Sequence, residues 1–271
     1  MTLVSAIVPT RNSGRTLWAC LESLRAQTHE PLELVVVDNG STDDTVRIGE
    51  TLADLVLSKG PERSAQRNEG ARRASGSCFL FVDSDMVVEP RVVAECVSLA
   101  ASGAGAVVIP ETSFGEGYWA RCKALERSCY VGDELIEAAR FFARGVFEAC
   151  GGFDEELPAG PEDWDLHERV RADGAAIART SALIHHDEGA LRLGGLARKK
   201  YYYGRAMADY RRKHPELARR QLSVVRPAFV RHWRRLAADP LPAAGMVVMK
   251  TCEYASGGAG IARALVRQRR R

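Results

Sequence analysis

Short apolar runs alternate with stretches of helical period through the first 110 residues, and this alternation restricts the chain more than any other feature. The apolar runs fall at residues 5–9, 32–37 (with three consecutive valines), 55–57, 78–82 and 106–109. Between them, residues 14–27 place Leu17, Leu21 and Leu24 on one helical face, and residues 64–74 and 90–101 read as further helices. Ser41-Thr42-Asp43-Asp44 fits a helix start, with Ser41 as N-cap and Asp44 in the third helical position. Strands that alternate with helices demand a mostly parallel sheet covered on both faces. In such sheets ligands bind beyond the carboxyl ends of the strands.

The second half is less regular. Residues 141–143 form a short strand, 151–153 a turn, 162–171 a helix and 176–184 a strand. From Leu193 the chain reads as all helix, with breaks near Pro215, Pro227 and Pro240-Pro242. A length of 271 residues suffices for one large α/β domain with a helical appendix. The net charge of +3 gives no case for a nucleic-acid partner, although arginine is dense from Arg192 onward and the chain ends Arg267-Gln268-Arg269-Arg270-Arg271. Such a basic tail suits either contact with anionic lipid or a solvated helical face. Seven cysteines with no Cys-x-x-Cys pair point to a reducing cytosol and no zinc site. The opening residues show no signal-peptide pattern, and no window is apolar enough for a transmembrane helix. The expectation is a cytoplasmic protein, with the inner face of the cell membrane left open.

The segments that follow the apolar runs are polar. Pro9-Thr10-Arg11-Asn12 follows the first and Asp38-Asn39-Gly40-Ser41 the second. Ser58-Lys59-Gly60 follows the third, with Arg63 and Arg67-Asn68 close behind. Asp83-Ser84-Asp85 follows the fourth. Four such loops on one sheet edge have the composition of a phosphate- or nucleotide-binding crevice. Asp83 and Asp85 would repel each other unless a hard divalent cation lay between them or one capped a helix. Mg2+ and Mn2+ take oxygen ligands from carboxylates and substrate phosphates. Glu162-Asp163 opens a helix, as dipole-favourable acids or as a general base. His185-His186 closes an apolar run, as a metal ligand or as loop histidines.

In order, these segments resemble the family-2 inverting glycosyltransferases with the GT-A fold. Ala6-Ile7-Val8-Pro9-Thr10-Arg11-Asn12 is similar to the family's first strand and loop. Val36-Val37-Asp38-Asn39-Gly40-Ser41-Thr42-Asp43-Asp44-Thr45 is similar to its Asp-x-Gly-Ser-x-Asp-x-Thr signature. Ala65-Gln66-Arg67-Asn68-Glu69-Gly70-Ala71 resembles its Ala-x-x-Arg-Asn-x-Gly segment, and Phe81-Val82-Asp83-Ser84-Asp85 its Asp-x-Asp strand end. Gly151-Gly152-Phe153-Asp154-Glu155 and Glu162-Asp163-Trp164-Asp165-Leu166 resemble its acceptor-side motif.

The resemblance implies a GT-A catalytic domain at 1–190, with a donor half of about 1–110 and an acceptor half of about 111–190, and a helical extension at 191–271. It implies transfer of a sugar, with inversion, from a UDP, GDP or dTDP sugar to an acceptor hydroxyl, with Mn2+ or Mg2+. Asp38, Thr10 and Arg11 would line the base pocket, and Pro9, Asn12, Asn39, Gly40, Lys59, Arg67 and Ser84 the rest of the donor site. Asp83 would be shared by ribose and metal, Asp85 and His186 would ligate the metal, and His185 is the runner-up to His186. Asp163 would be the catalytic base, with Glu162, Trp164 and Gly152 on the acceptor side. The acceptor is unknown, and a lipid-linked one is left open. The competing classes are a nucleotidyltransferase, which would want more glycine than Gly14 in residues 9–16, and a non-catalytic nucleotide-sugar binder or scaffold. In the C-terminal third, Lys199-Lys200-Tyr201-Tyr202-Tyr203 reads as helix residues shared between core and surface. Phe229, Trp233 and Leu236 recur at helical spacing among arginines, which suits either core packing or a membrane-surface helix.

Overall fold

The computed structural model describes residues 1–157, 160–224 and 226–268. The terminal arginines at 269–271 lie outside the described residues. The chain divides into two compact units. The first comprises Met1–Glu111, Ala138–Glu156 and Glu162–Asp187. The second comprises Thr112–Glu137, Leu157–Pro161 and the residues from 188 onward. The elements in chain order are β1 (Val4–Thr10), α1 (Leu17–Arg25), β2 (Leu32–Asp38), α2 (Thr45–Leu52), β3 (Leu55–Ser58), α3 (Arg63–Arg73), β4 (Cys78–Phe81), β5 (Met86–Val88), α4 (Val92–Ala101), β6 (Ala106–Val108), β7 (Glu111–Glu116) and α5 (Gly117–Ser128). They continue with β8 (Ala139–Ala143), α6 (Arg144–Ala149), α7 (Glu162–Ala172), β9 (Ile177–Arg179), β10 (Ile184–Ala190), α8 (Leu193–Lys213), α9 (Pro215–Gln221), α10 (Pro227–Arg231), α11 (Trp233–Ala238) and α12 (Pro240–Gln268).

In the first unit the five expected apolar runs become β1, β2, β3, β4 and β6. They enter a seven-stranded sheet of order β3-β2-β1-β4-β8-β6-β9. Pairing is parallel except at β8, which runs antiparallel to both β4 and β6. The period of two sends alternate residues to opposite faces. Val4, Ala6 and Val8 join Leu17, Leu21 and Leu24 in one core cluster. Ile7, Val35 and Val37 join a second cluster with Phe79, Phe81, Phe142, Phe147 and Phe153. Helix α3 lies so close to β1 that a Cβ on Gly70 would sit 2.5 Å from Ile7 Cγ2. The parallel register sets Thr10 beside Asp38 and Asp38 beside Ser58, so these strands end level on the polar edge.

Two expectations are corrected here. Ser41 does not cap a helix: α2 starts at Thr45, and Ser41 turns instead to the Asp38 carboxylate, to which it donates from its amide at 2.8 Å and its hydroxyl at 2.5 Å. The run at 176–184 is not one strand. It splits into β9 and β10, and β10 carries His185 and His186 antiparallel to β5, with His186 opposite Met86.

The second unit is mainly helical. The prolines at 215, 227 and 240 open α9, α10 and α12, where a missing N–H and a fixed φ cost least. A Cβ on Gly204 would collide with the Gly257 carbonyl, and one on Gly260 with the Tyr201 carbonyl, so α8 and α12 cross at glycine. Between α5, α8 and α12 lies a buried ion cluster. Glu126 pairs with Lys123 and Lys250, each at 2.8 Å. Glu253 pairs with Lys250 at 2.7 Å, Lys123 at 3.1 Å and Lys200 at 3.7 Å. The lysine–tyrosine run lies within α8, where Lys200 is half-buried and Tyr202 exposed. Phe229, Trp233 and Leu236 do not share one helix, since α10 ends at Arg231 and α11 starts at Trp233. Phe229 and Leu236 pack against the Cys122–Leu196–Met246–Met249 core, while Trp233 is 59% exposed. Among the described residues, no helix is long and apolar enough to cross a membrane.

Candidate active site

The polar edge of the first unit is organised by buried side chains rather than by loops alone. Asp38, at the end of β2, accepts from Thr10 Oγ1 at 3.0 Å and from both Ser41 donors. Asn12 takes a left-handed conformation (φ 51°) that turns the chain after β1. Its amide donates to Ser41 Oγ and its side-chain oxygen accepts from the Thr42 amide. Gln66 of α3 donates to the carbonyls of Thr10 and Val37 and so ties the two strand ends together. Pro9 is buried, Arg11 and Gly40 are exposed, and Lys59 is half-buried with its amide on the Asp38 carbonyl. Asn39 reaches the Pro61 carbonyl, and Ser84 meets Ser13 hydroxyl to hydroxyl at 2.7 Å.

Arg67 is the centre of the array. It projects from α3 and is fully buried. One Nη donates to Asp163 and the other to Asp83, each at 2.7 Å, and Glu162 lies 3.5 Å away. Its guanidinium stands 4.9 Å from the centroid of the Phe153 ring. Burial alone would weaken the Arg67 proton affinity, but Asp163 and Asp83 outweigh it and fix the charge. Burial likewise favours the neutral form of Asp83. Arg67, Arg63, Arg140 and then His186 outweigh that and hold its carboxyl well below the usual range. Asp83 is thus a charged carboxylate with arginines on several sides.

Asp85, just after β4, meets His186, which comes from β10, a strand paired with β5 outside the seven-stranded sheet. Asp83, Asp85 and His186 each offer a ligand atom, and these atoms lie within 4.8 Å of one another. Two carboxylates and an imidazole suit a Mn2+ or Mg2+ ion that keeps positions for water and phosphate oxygens. His186 Nδ1 is 3.6 Å from Asp85, while His185 turns to Glu89 at 3.2 Å. The adjacent positions in β10 point to opposite faces, which separates the two histidines. Of them, His186 is the one brought to the acids.

Glu162 and Asp163 open α7 but differ in access. Glu162 has no exposed surface and is paired to Arg63 at 2.7 Å, whereas the Asp163 side chain is 25% exposed. Trp164 is half-buried on the same helix. Gly152 has φ 68°, and a Cβ there would meet Asn68 Oδ1 at 2.8 Å. Asn68 clamps Phe153 by both amide and carbonyl, which sets the ring under Arg67. Sequence reasoning missed Arg140 and Glu111. Arg140 stands on β8 with Nη2 3.7 Å from Asp83 and Nε donating to Glu111. An arginine directly before Phe141-Phe142 was the available signal: a charge at the mouth of an apolar strand needs a buried partner.

The chain is similar to several known proteins. It is 30% identical over 244 residues to the O-antigen biosynthesis protein RfbC of Myxococcus xanthus, over 73% of this chain but only 18% of that protein. It is 28% identical over 191 residues to a PGL/p-HBAD biosynthesis glycosyltransferase of Mycobacterium tuberculosis, over 65% of this chain and 73% of that one. Among solved structures it resembles the mannosyltransferase PcManGT of Pyrobaculum calidifontis, in complex with GDP-Man and Mn2+. That TM-score is 0.55, at 22% identity over 97% of this chain and 75% of that one, and it speaks to the fold. The sequence profile of Glycosyl transferase family 2 matches residues 5–149, more than half of the chain, and the chain belongs to that family.

Proposed function

We propose that this chain transfers a sugar from a nucleotide-diphosphate donor to an acceptor hydroxyl with inversion at the anomeric carbon. The observation that carries the reading is the acid array joined through buried Arg67: Asp163 on one side, and Asp83, Asp85 and His186 on the other. The donor base is assigned to the pocket of Asp38, Thr10 and Arg11, and the rest of the donor to Pro9, Asn12, Asn39, Gly40, Lys59, Ser84 and Arg67. Arg140 Nη1 is buried without a hydrogen-bond partner among the described residues and would be a donor for a substrate oxygen. The neighbour's GDP-mannose and Mn2+ support a donor of this class. Asp85, His186 and Asp83 would hold Mn2+ or Mg2+, which stabilises charge on a departing diphosphate. Asp163, the accessible acid of its pair, takes the proton from the acceptor hydroxyl, and Arg67 fixes its position. Trp164 and Gly152 belong to the acceptor side, and the buried Glu162 supports them. Residues 1–190 are assigned to catalysis and 191–271 to a helical extension.

We assign the acceptor to the lipid-linked class, at the cytoplasmic face of a membrane. Residues 191–271 hold twenty Lys and Arg against four Asp and Glu, a net charge of +16. The second unit also exposes Val230, Trp233, Leu241 and Val247. Cations beside exposed apolar side chains fit an anionic lipid surface.

Asp163→Asn tests the catalytic assignment. It removes the base and keeps the side-chain shape, so transfer should fall by at least 100-fold, toward the scale of general-base catalysis. Donor binding, read as a thermal shift across UDP, GDP and dTDP sugars with Mn2+, should persist. Turnover equal to the unaltered enzyme would refute the assignment.

A further inference from the structure

We propose that Glu111 is a positioning residue that decides which ring nitrogen His186 presents to a cation, an inference that rests on the transferase reading of this site. The His186 ring lies between two carboxylates. Its Nδ1 is 3.6 Å from Asp85 Oδ1 and its Nε2 is 3.6 Å from Glu111 Oε2, and the side chain is only 12% exposed. Glu111 is itself anchored. Its other oxygen accepts from Arg140 Nε, and Arg140 is buried and lies 3.7 Å from Asp83. A chain of alternating charge therefore runs from Asp83 through Arg140 and Glu111 to His186.

A neutral imidazole carries one N–H and one lone pair. Each ring nitrogen faces a carboxylate at 3.6 Å, so the choice is made when a cation shared with Asp85 takes the Nδ1 lone pair and leaves the Nε2 proton toward Glu111. The lone pair is then on Nδ1, the nitrogen 3.6 Å from Asp85 Oδ1. The other tautomer would set a lone pair against the Glu111 carboxylate and a proton toward the cation position. Carboxylates that hold the far nitrogen of a metal-binding histidine raise its basicity and fix its ring, and their removal commonly weakens metal affinity by about 10- to 100-fold. Glu111 touches neither substrate nor cation in this account. It acts through His186.

The test uses the full chain with Mn2+ alone, titrated by EPR of the free ion. Glu111→Ala should weaken Mn2+ binding by about 10- to 100-fold. Glu111→Gln, whose amide oxygen can still face Nε2–H, should recover most of it. The double variant Glu111→Ala/His186→Ala should bind no more weakly than His186→Ala. Unchanged affinity in a folded Glu111→Ala, or losses that multiply in the double variant, would overturn the proposal. Nitrogen-15 NMR of the unaltered protein gives a reading that needs no variant to fold. At alkaline pH, where imidazole is neutral, and with diamagnetic Mg2+ bound, the resonance assigned by its disappearance in His186→Ala should report the Nε2–H tautomer. An Nδ1–H tautomer would also overturn it. Neither readout involves donor or acceptor, so failure here leaves the transferase reading standing. An active Asp163→Asn would sink that reading and leave the tautomer untouched.

Discussion

Replacing Arg67 tests whether the site is held by one buried cation or by several. Arg67→Met keeps much of the volume and removes the charge. It deletes two hydrogen bonds of 2.7 Å to carboxylates and the contact with the Phe153 ring, and it leaves Glu162 and Asp83 to Arg63 and Arg140. Each charge-assisted hydrogen bond contributes about 1.5–3 kcal/mol. Removing one partner of a buried ion pair costs about 3–5 kcal/mol. The remaining arginines offset part of the loss, so about 3 kcal/mol is expected, or a Tm lower by roughly 6–12 °C. Arg67→Lys keeps a charge but reaches one carboxylate at a time, and should lose about half as much. The pH dependence has a definite sign. Asp83 is depressed in the folded state, so its contribution is complete above the unfolded value of about 3.9 and drains away as pH falls toward the folded value. The gap between Arg67→Met and the unaltered protein should therefore be full at neutral pH and narrow below about pH 4. Thermal unfolding followed by circular dichroism across this range measures both. A Met variant as stable as the parent, or a gap indifferent to acid, would show that Arg63 and Arg140 alone carry the carboxylates.

Three further outcomes follow from other parts of the molecule. Gly70→Ala drives a Cβ to 2.5 Å from Ile7 Cγ2 in the sheet core and should cost about 1–3 kcal/mol in a urea titration. In the second unit, burial would favour neutral Glu126, but Lys123 and Lys250 hold its carboxyl far below the usual range, so its contribution is present above the unfolded value of about 4.3 and lost as pH falls below it. Glu126→Gln should then cost about 3 kcal/mol at neutral pH and much less in acid. Vesicles of phosphatidylglycerol should sediment the protein while vesicles of phosphatidylcholine do not, with binding reduced by salt and by Trp233→Ser. Equal binding to both vesicles would remove the case for an anionic surface.

The sheet of the first unit was legible because its strands are buried on both faces. Such strands are short continuous apolar runs, and the helices between them show their own period in Leu17, Leu21 and Leu24. Legibility failed where one local signal competes with another. Ser41 has the side chain of an N-cap, yet Asp38, three residues earlier, claims both its donors. Trp233 falls at core spacing with Phe229 and Leu236, yet a break at His232 turns it outward. In neither case does the sequence window contain the competing partner's geometry.

The candidate site shows the same division. Asp83 and Asp85 stand two residues apart and look equivalent as letters. Their surroundings come from distant segments: Arg63 and Arg67 on α3, Arg140 on β8, and His186 on β10. Arginines balance Asp83 before any cation arrives, whereas Asp85 faces His186 and keeps 37% of its side chain exposed. A divalent ion gains less from a carboxylate already neutralised than from one facing water and an imidazole. On the proposed reading Asp85 and His186 would be the stronger ligands of the three, with Asp83 the weaker one and the link through Arg67 to Asp163. The same guanidinium that quiets Asp83 also anchors Asp163. If Asp163 is the proton acceptor and the acids at Asp83 and Asp85 hold a cation, as proposed, a shorter or longer residue at position 67 would disturb both ends of the site together.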